Sequence, residues 1–129
     1  MAPKLRIARP TNDLAALRHF YVVGLGLSEL YSFAGHDGFD GLMLGELHGP
    51  YHLEFTSQPG HAVPPAPTPE NLLVFYLPDA TAWQAAVARL RAAGYAPVPA
   101  HNPYWDRQGL TFADPDGYRV VLQQTAWSM

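Results

Sequence analysis

The sequence predicts an α+β fold built from two βαβββ modules. Three observations carry this expectation. The segment "HGPYHLEFTSQP" (48–59) has a near-echo in "DPDGYRVVLQQT" (114–125), with Tyr51 and Tyr118 67 residues apart. Asp13 and Asp79 stand 66 apart, and "GLML" at Gly41 and "GLTF" at Gly109 stand 68 apart. Between these anchors the hydrophobic pattern switches from strand-like alternation to helical spacing and back, in the same order twice. A repeat this long reads as a two-module domain and not as a solenoid.

Each element has a local cause. "KLRIARP" (4–10) alternates as a half-buried strand, and Pro10 stops it. Asn12 is the expected helix cap, accepting a bond from a free N–H of the first turn. The helix should run over about 13–23, with Leu14, Leu17 and Tyr21 at apolar spacing and Gly24 and Gly26 at its end. Strands are expected at about 27–34, 41–46 and 51–58. "HDGFDG" (36–41) supplies the turn between the first two, because Gly and Asp tolerate left-handed backbone. The prolines of "SQPGHAVPPAPTPEN" (57–71) can continue neither a ladder nor a helix, so this stretch reads as an extended connector.

The pattern then restarts. "LLVFYLP" (72–78) is a strand apolar on both faces, and Asp79 caps the Ala-rich helix "ATAWQAAVARLRAAG", closed by Gly94. Short strands should follow at about 96–99, 110–113 and 118–124. The modules thus cover about 4–58 and 71–125 of a single domain (1–129), joined by a Pro-rich connector at 59–70.

Composition narrows the function classes. At 129 residues the chain can bury its own core. With 48% hydrophobic and 15% charged residues it is globular, not disordered. Lys+Arg number 8 against 11 Asp+Glu, and no basic stripe occurs, so nucleic acid is not an expected partner. The absence of cysteine excludes disulfides, thiolate metal sites and a Cys nucleophile. No apolar run is long enough for a signal-peptide core or a membrane span, so the expectation is a cytoplasmic protein without a membrane partner. No phosphate-binding loop, dinucleotide fingerprint or nucleophile elbow is present.

Two longer words have a known look. "FADPDGYRVVLQQ" is similar to the ending, before the last strand, of the vicinal oxygen chelate superfamily. "NDLAALRHFYVVGLGL" is similar to its opening helix. That superfamily includes glyoxalase I, bleomycin-resistance proteins and extradiol dioxygenases, and the resemblance covers nearly the whole chain. It implies a curved, half-open mixed sheet around a cleft, and a homodimer. It also implies four metal ligands at matching places on the two modules. Carried over, those places are Arg6 and Leu72 on the first strands, and Glu54 and Val121 on the last. Only Glu54 is a ligand. Arginine offers no lone pair, and Leu and Val offer nothing. A register slip of one would substitute Asn71 for Leu72, but would point it to the other face. The metal site is therefore expected to be degenerate, with no cofactor. The resemblance also puts Arg6 on the same face as Glu54, where it would stand in for the metal's positive charge as a charge-assisted partner.

Two readings stand for these residues. Arg6 and Glu54 form a structural ion pair in a vestigial cavity, or Arg6 grips an anionic ligand while Glu54 acts as general base. His52, two residues before Glu54, shares its face, so Glu54 and His52 are the seed of an alternative, displaced divalent-metal site lacking a third ligand. His48, His61 and His101 fall on loops. In "HNPYWDRQG" (101–109), Tyr104 and Trp105 either stack on a flat ligand or cap the core, and Asp106 and Arg107 are expected to pair. If the register holds, Leu72, Val74 and Tyr76 face the cavity with Arg119, Val121 and Gln123, while Leu73, Phe75 and Leu77 pack on the helices. The expected ligand contacts are Arg6, His52, Glu54, Tyr76, Tyr104, Trp105 and Arg119. They suit a small, partly apolar molecule with one anionic group. The alternative is a metal-dependent lyase or dioxygenase of the glyoxalase type using the displaced site, and whether the chain is an enzyme turns on that metal.

Overall fold

The computed structural model describes residues 2–128. The chain divides into two compact units, and the division falls between Pro64 and Pro65, inside the proline-rich connector.

The first unit holds β1 (Leu5–Pro10), α1 (Leu14–Arg18), β2 (Ser28–His36), β3 (Phe39–Gly45) and β4 (Tyr51–Ser57). Its four strands run in the order β1-β4-β3-β2, with β1 parallel to β4 and the other pairs antiparallel. β1 ends at Pro10, as expected; Pro10 is its last residue and lies on an edge strand, where its missing N–H costs no ladder bond. The helix cap is Asp13, not Asn12: Asp13 Oδ1 accepts from the Ala16 N–H at 3.0 Å. Asn12 is engaged elsewhere. Its amide donates to the Val63 carbonyl and accepts from the Val63 N–H, each at 2.8 Å, and so ties the connector to the start of the helix.

After α1 the chain widens into a π-helical turn over His19–Gly24, with Leu25 N–H bonding back to Phe20 O at 2.8 Å. Consecutive Phe20 and Tyr21 are both fully buried there. They pack with Leu17 on the face of the sheet that carries Leu42, Leu44, Leu53 and Phe55, and the Tyr21 and Phe55 rings lie 4.9 Å apart. The β2–β3 hairpin turns at Asp37 and Gly38, both left-handed (φ 50° and 85°), as "HDGFDG" requires.

The second unit holds β5 (Leu72–Tyr76), α2 (Ala80–Ala92), α3 (Tyr104–Arg107), β6 (Gly109–Ala113) and β7 (Arg119–Gln123). Its strands run β5-β7-β6, with β5 parallel to β7. Asp79 caps α2, Oδ2 accepting from Ala82 N–H at 2.8 Å, and left-handed Gly94 (φ 100°) follows its end. Trp83 Nε1 donates to the Leu122 carbonyl at 2.9 Å and locks α2 onto β7. The strand expected at 96–99 is a single bridge, Val98 to Thr111. Pro97 and Pro99 flank that bridge and bring no N–H to a ladder.

The two sheets share one register. Arg6 lies opposite His52 and Ala8 opposite Glu54; at the repeat offset, Leu72 lies opposite Arg119 and Val74 opposite Val121. Gly41 faces Thr56 as Gly109 faces Gln123. The architecture is therefore the α+β arrangement of two modules that the repeat predicts, with the second strand of the second module reduced to one bridge.

Two tyrosines feel this packing. Burial pushes the Tyr51 phenol above its ordinary 10.0, and the Glu46 carboxylate adds to the effect. Burial and then Asp114 do the same to Tyr95. A raised folded-state pKa contributes stability that is whole below the unfolded value and is lost as pH rises through the folded one. Denaturant melts should therefore show Tyr51→Phe losing less stability than the wild type on going above pH 10.0. Asp79→Ala should cost about 1 kcal/mol in the same assay at neutral pH, the usual loss for an N-cap.

Candidate functional site

Alternation gives the first sheet two faces, and the helix covers only one of them. The other carries Arg6 on β1, His52 and Glu54 on β4, Met43 on β3 and Tyr31 on β2. The register row Tyr31–Met43–Glu54–Ala8 crosses all four strands. Three of the expected site residues meet here. Arg6 Nε donates to His52 Nε2 at 2.8 Å, and Arg6 Nη1 lies 3.6 Å from Glu54 Oε2. Nε2 is thus the acceptor, and its lone pair is turned to the guanidinium. The Glu54 side chain is 15% exposed and that of Arg6 48%. The cation thus reaches from the rim down to a largely sunken carboxylate. Removing Arg6 would strand that charge, at less than the ~3–5 kcal/mol of a fully buried pair, since Arg6 is half in water.

Beside Glu54 opens a hollow of about 490 Å³, lined by Tyr31, Phe33, Ala34, His36 and Met43 as well as Glu54. Its aromatic wall depends on a glycine. The Phe33 ring lies flat over Gly41, its register partner, in the space a Cβ would take. The Tyr31 and Phe33 ring centres are 6.3 Å apart, and the His36 ring stands edge-on to Phe33 at 6.0 Å. Sequence reading missed this wall. Tyr31 and Phe33 were legible only as a strand's alternate residues; the glycine opposite Phe33 was the available signal.

In the second unit, Trp105 and Arg119 line a smaller hollow of about 150 Å³. Arg119 Nη1 donates to the Pro99 carbonyl at 2.8 Å. Trp105 stands edge-on to Tyr104 at 4.9 Å. Tyr104 itself is half-exposed and lies outside the lining, with the Arg107 guanidinium 5.9 Å from its ring centre. The expected Asp106–Arg107 pair does not form; Asp106 Oδ1 instead accepts from Ala100 N–H at 3.3 Å, closing the loop. Tyr76 is exposed at the end of β5 and lines neither hollow. Val121 and Gln123 share a face with Arg119 but are buried, so only the Leu72–Arg119 end of that face borders the hollow. Alternation assigned the face correctly; the depth of burial was not in the pattern.

The donor set does not fit a divalent ion at the places the resemblance implies. Arg6, Leu72 and Val121 supply no lone pair, and Glu54 Oε2 and His52 Nε2 are both turned to Arg6. Among the described residues no group of three or more His, Cys, Asp or Glu is placed to hold a metal. No helix among them is long and apolar enough to cross a membrane.

The Phe33–Gly41 contact is testable. Gly41→Ala should turn the partly buried ring out of the hollow at a cost of about 1 kcal/mol. NMR should show the loss of NOEs between the Phe33 ring and residue 41, with the β2–β3 ladder intact.

Comparison with known proteins now fixes the family. The model of the YycE-like N-terminal domain matches residues 5–56, and that of the YycE-like C-terminal domain matches residues 70–124. The chain is 44% identical over 124 residues to the Bacillus subtilis (strain 168) protein YycE, covering 96% of this chain and 89% of that one. A crystal structure of a B. subtilis YycE protein, related there to glyoxalase and fosfomycin resistance proteins, superposes with a TM-score of 0.90 at 43% identity, covering 98% and 93% of the two chains. Two more distant structures share the fold alone. Leishmania major glyoxalase I has a TM-score of 0.74 at 19% identity, over 97% and 88% of the chains. Listeria monocytogenes FosX, solved with Mn(II), has 0.68 at 13%, over 98% and 90%. The chain belongs to the YycE-like family, and its fold is that of the glyoxalase, bleomycin-resistance and fosfomycin-resistance proteins.

Proposed function

We propose that this protein binds a small, partly apolar, anionic molecule and does so without a divalent metal. The observation that carries the reading is Arg6, whose guanidinium bridges His52 and Glu54 at a position where a metal enzyme of this fold would need a lone pair. The positive charge that such an enzyme takes from an ion is here covalently part of the chain. Arg6 commits Nε to His52 and Nη1 to Glu54, which leaves the rest of its donor fork for a ligand anion. The aromatic and thioether wall of Tyr31, Phe33 and Met43 supports an apolar portion on the same ligand. Glu54 then holds Arg6 in place and is not a general base. A homodimer, implied by the resemblance, and a cytoplasmic address belong to the same proposal.

The test is a thermal-shift screen of small carboxylates and phosphonates, run with EDTA and again with added Mn²⁺ or Zn²⁺. Stabilisation by the hits should be unchanged by the chelator, and for hits whose anion sits on the first unit it should be largely lost in Arg6→Ala. Hits that need the metal, or a screen in which no hit is weakened by loss of Arg6, would contradict the proposal. Metal dependence would favour the displaced site on Glu54 and His52 and, with it, lyase or dioxygenase chemistry.

A further inference from the structure

We infer that the hollow inside the second unit takes a single aromatic ring bearing one carboxylate. The inference rests on the reading that the chain binds small anionic molecules and deepens it, naming the class of ligand and the second-unit residues that hold it, Trp105 and Arg119 among them. Size comes first. At about 150 Å³ the hollow accommodates one six-membered ring and little more. The walls come next. Pro69, Leu72, Ala100 and the indole of Trp105 are apolar surfaces, and the indole offers a face to a flat ring. Its own loop positions that indole: the Tyr104 ring stands perpendicular to it at 4.9 Å, and the Trp105 backbone N–H donates to the Asn102 carbonyl at 3.1 Å.

Charge decides the substituent. Two ionised groups of opposite sign border the hollow, Glu70 and Arg119. Both oxygens of Glu70 are engaged: Oε2 accepts from the Thr68 hydroxyl at 3.2 Å, and Oε1 lies 3.4 Å from His101 Nε2. Arg119 is not matched in this way. Nη1 donates to the Pro99 carbonyl, a neutral acceptor, and Arg119 forms no ion pair among the described residues. Its remaining N–H groups are a planar fork suited to a carboxylate. A second observation is independent of Arg119. Thr111, on the floor, is 1% exposed, and its hydroxyl has no hydrogen-bond partner among the described residues. A buried hydroxyl in that state calls for an acceptor, which the carboxylate or a ring substituent supplies. A cation or a neutral hydrocarbon would leave both groups unmatched.

The experiment uses the full chain and three probes: benzoate, its neutral isostere benzamide, and acetate, which keeps the charge and lacks the ring. Binding is followed by ¹H–¹⁵N correlation spectra. Benzoate should move the amides of residues 100–111 and 119 and leave those of residues 6, 52 and 54 in place. Benzamide and acetate should each bind about tenfold more weakly or worse. Arg119→Gln and, independently, Trp105→Leu should each weaken benzoate by about tenfold. The comparison of probes on the wild type does not depend on whether either variant folds. No benzoate binding, or benzamide or acetate binding as tightly as benzoate, overturns the inference. Benzoate shifts centred on residues 6, 52 and 54 would also overturn it while leaving the proposed function standing.

Discussion

A carboxylate sunk into the face of a sheet needs a cation, and Glu54 has one in Arg6. The rest of the first unit is arranged around that need. The parallel pairing of β1 with β4 sets Arg6 beside His52 and one register step from Glu54, so the guanidinium can touch both. The opposite face of the same strands takes the helix, with Leu53 and Phe55 against Tyr21 and its neighbours. Were the register shifted by one residue, Glu54 would enter the core and Phe55 the open face, each at a cost no local adjustment could offset. The ion pair and the hydrophobic core therefore specify the same register.

The two units share a register but use their equivalent faces differently. In the first, the face is open, polar at Arg6, His52 and Glu54, and aromatic at Tyr31 and Phe33. In the second, Val121 and Gln123 are buried, and the loop bearing α3 leaves room only for a ring-sized hollow at the Leu72–Arg119 end. The residues at Glu54 and Val121 are structurally equivalent, so the acid and the valine mark a real divergence between the copies and not a misalignment. One copy keeps a charge that must be answered. The other carries Val121 at that place, fully buried.

Much of this was legible beforehand, for identifiable reasons. The repeat was readable because register is physically expensive to change, so Tyr51 and Tyr118, and Gly41 and Gly109, kept their spacing. The Arg6–Glu54 contact was foreseen because the resemblance put both on one face. What stayed hidden depended on tertiary competition. Asn12 and Asp13 are equally good caps in isolation; Val63, far along the chain, claimed Asn12. The strand at 96–99 failed because alternation was read without weighing the two prolines against the ladder. Asp106 and Arg107 are adjacent in sequence, but the short helix sends one to the Ala100 N–H and the other over Tyr104. The aromatic wall of Tyr31 and Phe33 required knowing that Gly41 lies opposite Phe33, which is a fact of pairing and not of either strand alone.

The proposed function has a side-chain cation, Arg6, in place of a metal ion on the open face of the first unit. Its most direct test is elemental analysis of untagged protein dialysed against a mixture of divalent metals and then against metal-free buffer. The expected result is a metal content far below one per chain, with Arg6 remaining in contact with Glu54 and His52. A content near one per chain, lost on substitution of Glu54 or His52, would contradict the account and make those two residues metal ligands.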